Sequence, residues 1–137
     1  MMMPEPTIHT LTARVYYEDT DAGGIVYHAN YLKFAERART EFLRFVGWDR
    51  LRVERELGIG FIVRHAEINY RAPAKLDDLL TVKTTVTAIG NTSMTMQQDI
   101  WRDDTVLAEI KIVIVAVSPE GRAVRFPPQL RQIDSGK

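Results

Sequence analysis

Apolar and polar residues alternate along this chain in two different periods, and the changes of period divide it into elements. Leu11, Ala13 and Val15 alternate with Thr12 and Arg14 ahead of an aromatic pair, which predicts a first strand over Thr10–Tyr17. A loop with two adjacent glycines follows. From Asn30 the apolar positions Tyr31, Phe34, Ala35, Ala38, Phe42, Phe45 and Val46 fall on one stripe. Lys33, Glu36, Arg37, Arg39, Glu41 and Arg44 lie mostly off it. This predicts one long amphipathic helix over Asn30–Val46, capped by Asn30 and ended by Gly47. A second helical piece is expected over Trp48–Leu57, stopping at Gly58.

Beyond Gly60 the pattern is extended throughout. A strand over Phe61–Arg71 stops at Ala72-Pro73, because proline has no N–H for a ladder bond. Leu79–Ile89 alternates cleanly, Gly90-Asn91 turns it into Ser93–Trp101, and Asp103-Asp104 turns that into Val106–Val117. Ser118-Pro119-Glu120-Gly121 then leads out to a short tail. One strand, one helix and four strands joined by short turns predict an α+β fold, an antiparallel five-stranded sheet around one helix, in a single domain over 1–137. The run Ile112-Val113-Ile114-Val115-Ala116-Val117 is apolar on both faces of its strand. One helix covers a single face, so a second subunit is expected over the outer face or an edge.

Composition narrows the partners. The 137 residues carry 18 basic and 18 acidic side chains, a balance that points away from nucleic acid and acidic membranes and toward a small molecule or another subunit. There is no cysteine, which removes disulfides, thiolate metal sites and thiol nucleophiles and fits a cytoplasmic location. Met1 to Thr7 contains Glu5 and two prolines where a secretory signal needs positive charge and an apolar run, and no membrane-spanning stretch follows.

The chemistry concentrates in Asp19-Thr20-Asp21-Ala22-Gly23-Gly24-Ile25-Val26-Tyr27-His28, two carboxylates and two glycines leading into the long helix. A carboxylate held beside unpaired N–H groups at a helix start is equipment for attacking a carbonyl; the plainer reading of Asp and Gly together is a turn. An EF-hand loop starting at Asp19 would need Asp or Asn where Gly23 stands and Glu where Asn30 stands, so calcium is not expected. Asp19-Thr20-Asp21 also matches the Asp-x-Asp of aspartyl phosphotransferases, with Asp77-Asp78 as a second acidic pair, but the strand meander argues against their parallel-sheet fold. His9 and His65 take structural readings, and Glu36 on the helix is a second carboxylate candidate after Asp21.

The run from Asp19 to Tyr31, followed by Phe34-Ala35-Glu36-Arg37 and later by Asn69-Tyr70-Arg71-Ala72-Pro73-Ala74 and Leu76-Asp77-Asp78, resembles the hotdog-fold acyl-CoA thioesterases of the 4-hydroxybenzoyl-CoA thioesterase group, and within it the YbgC-type branch. The resemblance spans nearly the whole chain. It implies the hotdog fold, hydrolysis of an acyl-CoA substrate, no cofactor or metal, and a homo-oligomer, either a dimer sharing its active sites or a dimer of dimers. It assigns the catalytic role to Asp21, as nucleophile or general base, and leaves Asp19 a turn-forming neighbour. Backbone N–H groups at Tyr27 and His28 are the expected donors to the oxyanion. Gly24, like Gly23, lets the backbone pass close to the acyl group at positive φ. Arg122 and Arg125 are expected to contact coenzyme A phosphates. A hotdog domain that binds acyl groups or a protein without turnover is the alternative, since fold alone does not fix function.

Overall fold

The computed structural model describes residues 7–135. Its elements run β1 (Ile8–Arg14), α1 (Asn30–Phe45), α2 (Arg50–Arg52, continued by a π turn Val53–Leu57), β2 (Gly60–Tyr70), β3 (Leu79–Ile89), β4 (Ser93–Arg102) and β5 (Thr105–Val117). One antiparallel sheet in the order β1-β3-β4-β5-β2 results, open at both edges. The stripe predicted for the long helix is the face that packs, except at Phe45, which is 65% exposed. Phe34, Ala35, Ala38 and Phe42 are fully buried against the inner-facing Val82, Val86, Met94, Met96, Ile100, Ile110, Ile112 and Ile114. Gly47 ends α1 at φ +88 and Gly58 ends the π turn at φ +66, as their positions in the pattern predict.

Four expectations change. The first strand stops at Arg14; Tyr16 and Tyr17 are exposed, and Tyr17–Asp19 is a 3₁₀ turn closed by Asp19 Oδ2 accepting the Tyr16 N–H at 2.8 Å. Asn30 does not cap α1, because its side chain is drawn to Asp19 instead. Arg39, set off the apolar stripe by its position, is nonetheless half-buried and donates to Gln98 Oε1 at 3.0 Å, while Gln98 Nε2 donates to the Ala35 carbonyl and Thr84 Oγ1. The tail is part of the core: Phe126 is buried, as are Leu130 and Ile133 on a 3₁₀ segment over Pro128–Ser135.

The two-faced run in β5 is satisfied inside the chain. Ile112, Ile114 and Ala116 point to the core, and Val113, Val115 and Val117 on the other face are no more than 9% exposed. Ladder neighbours on β4 and β2 shield Val113 and Val115, and Gly60 and Ala123 flank Val117. This run therefore does not require a second subunit. An open edge lies elsewhere: among the described residues β2 pairs only with β5, and nine of its eleven residues are exposed, including Ile62, Val63 and Tyr70.

Candidate active site

The Asp19–Tyr27 segment is a narrow loop whose limbs pair with each other. Thr20 bridges Val26, the Tyr27 N–H donates to the Asp19 carbonyl at 3.0 Å, and the Asp21 N–H donates to the Ile25 carbonyl at 2.8 Å. The tip is thereby fixed to the chain entering α1. Asp21 is exposed there, and its Oδ1 accepts the Gly23 N–H at 2.8 Å in an Asx-type turn. Gly24 sits at φ +80, which explains that glycine; Gly23 does not need positive φ, but a Cβ on it would approach Asp21 Oδ1 to 3.2 Å. Asp19 is the structural carboxylate, buried and holding both the Tyr16 N–H and the Asn30 amide.

The two expected backbone donors differ in availability. The Tyr27 N–H is taken by Asp19, whereas the His28 N–H makes no hydrogen bond among the described residues. The Tyr27 carbonyl accepts the Asn30 N–H at 2.8 Å, and the His28 carbonyl accepts the Tyr70 hydroxyl at 2.6 Å. Tyr27 and His28 rings lie against each other on the exposed side, 4.6 Å between centroids. Tyr70 was not a predicted site residue. It ends β2, forty-two positions from His28; the Asn69–Ala74 motif contains it, but nothing local ties it to the helix start. Its ring meets buried Tyr31 edge to face at 5.4 Å, and Tyr31 Oη accepts the Ala74 N–H. Burial pushes both phenols above the ordinary tyrosine value, and neighbouring Tyr31 adds to the rise at Tyr70.

Arg122 and Arg125 are exposed near the other end of the sheet, in and just after the turn that leaves β5. Val117 pairs with Gly60 at that end, and Ala108 pairs with Tyr70 at the Asp21 end, so nine strand residues, roughly 30 Å, separate the two. A cleft of roughly 650 Å³ opens at the Arg122 end, between α1, α2 and the first residues of β2. Leu43, Phe61, Val63 and Met96 give it apolar walls, and Glu36 and Arg39 reach it from α1. Burial lowers the Arg39 pKa from its ordinary value, opposed by the charge of Glu36. Asp21 and His28 do not line this cleft. One chain thus holds a carboxylate with a free amide at one end and an apolar cleft with basic side chains at the other.

Comparison with known proteins follows the same lines. Residues 23–109 match the family described as the thioesterase superfamily. The acyl-CoA thioester hydrolase YbgC of Escherichia coli O6:H1 is 44% identical over 114 residues, covering 82% of this chain and 84% of that protein. The acyl-CoA thioesterase YbgC of Haemophilus influenzae is 40% identical over 119 residues, 86% of this chain and 88% of its own. The crystal structure of a probable thioesterase from Bartonella henselae superposes with a TM-score of 0.84 at 40% identity, covering 88% of this chain and all of that one. A shared sheet and central helix, together with identity at this level over most of the chain, place the protein in the thioesterase superfamily, in its hotdog-fold, YbgC-type branch.

Proposed function

We propose that this protein hydrolyses acyl-CoA thioesters to a free carboxylic acid and coenzyme A, at a site shared between two copies of the chain. The observation that carries this reading is the separation of the two half-sites along an open edge strand. Antiparallel pairing of β2 with a second copy about its midpoint, His65, sets Gly60 against the partner's Tyr70. The cleft of one copy then abuts the Asp21 loop of the other. In this arrangement the acyl group enters the apolar cleft, Arg122 and Arg125 face the coenzyme A phosphates, and the partner's loop meets the thioester.

The chemistry needs little apparatus. Asp21 attacks the thioester carbonyl carbon directly, or takes a proton from a water that does so. The carbonyl oxygen becomes an oxyanion in either route, and the His28 N–H at the entrance to α1 donates to it, aided by the helix dipole. Collapse expels the coenzyme A thiolate, breaking the C–S bond. A thiol of pKa around 8.5 leaves readily, so no strong general acid is required. In the direct route water then cleaves the mixed anhydride and regenerates Asp21; in the other the acid forms at once, and the proton ends on the thiolate.

Thiol release from a panel of short, long and aromatic acyl-CoAs, followed with a thiol-reactive chromophore, tests the reading. Turnover of at least one class is expected. No release from any of them would leave an acyl-binding or protein-binding domain in its place.

A further inference from the structure

The peptide that presents the His28 N–H is held from three sides. Ahead of it, the Tyr27 N–H is tied to the Asp19 carbonyl and the Val26 N–H to the Ala74 carbonyl, which fixes the two preceding peptide planes. The peptide itself is anchored through the Tyr27 carbonyl, which accepts from Asn30; this bond also polarises the free N–H on its opposite side. The following peptide is fixed by one contact from another element, the Tyr70 hydroxyl on the His28 carbonyl at 2.6 Å. Tyr70 is in turn steadied by Tyr31, a buried residue of α1 locked by the Ala74 N–H.

We infer that Tyr70 is a positioning residue for the reaction: its hydroxyl, acting through the His28 carbonyl, aims the His28 N–H at the developing oxyanion. The raised phenol keeps its proton throughout the neutral range, so the hydroxyl remains a donor there. A preorganised donor stabilises charge only if its direction is fixed before the reaction begins, and a displacement of an ångström is enough to lose much of the effect. This role rests on the hydrolytic reading above, and it concerns the transition state more than the ground state.

Tyr70→Phe removes the hydroxyl and keeps the ring against Tyr31. With an acyl-CoA that the wild type hydrolyses, kcat is expected to fall about tenfold while KM stays within about twofold, because the lost alignment matters most when the oxygen is charged. Amide hydrogen exchange over residues 27–30 is expected to quicken severalfold, and the thermal midpoint to stay unchanged. A kcat within twofold of wild type overturns the inference. So does a fall in kcat without faster exchange, or a change confined to KM, since either would put the phenol on the substrate. Absence of thiol release from the wild-type protein overturns the hydrolytic reading and this role with it, which separates the two failures.

Discussion

The carboxylate of Asp19 accepts the side-chain amide of Asn30 at 2.8 Å in a buried contact, while Asp21, two residues away, stands in solvent. Two acids in one short motif thus have opposite tasks. Asp19 joins the loop to the first residue of α1 and closes the 3₁₀ turn through the Tyr16 N–H. Asp19→Ala leaves both donors without their acceptor and is expected to lower unfolding free energy by about 2–3 kcal/mol, read from urea titration. Asp21→Ala loses only a local bond to Gly23 and is expected to unfold within about 0.5 kcal/mol of wild type.

Gly23 provides a finer test of where the Asp21 carboxylate must lie. Its backbone tolerates alanine, but the new Cβ would press on Oδ1 at 3.2 Å. Gly23→Ala is expected to lower kcat severalfold with little loss of stability, measured by steady-state kinetics beside thermal melting. Gly24 is the reverse case. Open space surrounds it, but at φ +80 an alanine there strains the backbone, at a cost of about 1–2 kcal/mol.

The acid limb of the stability curve is expected to depend on Asp78. Burial raises its pKa, but the Lys75 N–H and the Arg102 guanidinium outweigh burial and hold it below the ordinary 3.8. A carboxylate with a depressed folded value stabilises the fold above its unfolded pKa, and that contribution is lost as pH falls through the lower folded one. Asp78→Asn is expected to be less stable at neutral pH, with the gap to wild type closing below about pH 4, in urea titrations across pH 2–7.

The proposed division of the site between the two ends of β2 would make activity depend on assembly. Specific activity is expected to fall on dilution in step with dissociation measured by sedimentation. Constant activity in a demonstrated monomer would contradict the shared site. Turnover is also expected to survive a chelator such as EDTA, because the proposed chemistry uses Asp21 and a backbone amide and calls on no divalent ion.

Much of this architecture is legible in the sequence because its signals are periodic. The α1 stripe, the β3 alternation and the glycines at 47 and 58 each carry a local physical reason, and each element lies where that reason puts it. What escapes is long-range. Tyr16 and Tyr17 suit a strand, yet a carboxylate three residues on pulls the chain into a turn. Arg39 reads as a surface charge until Gln98, 59 positions away, supplies its partner. Leu130 and Ile133 look like the end of a tail, with nothing nearby to show that the core reaches them. The Asp21 motif is local and readable, whereas Tyr70 meets His28 only because β2 returns beside the helix start.

Asp21→Asn keeps the shape and the Gly23 contact while removing the charge proposed to attack the thioester or to activate water. Single-turnover thiol release by this variant, at an acyl-CoA concentration that saturates it and with its oligomeric state checked by solution scattering, is the most direct test. Retained binding, unchanged assembly and a rate on the order of 10²–10⁴ lower than wild type are expected. A variant that hydrolyses the substrate within a few-fold of wild type would contradict a catalytic role for Asp21.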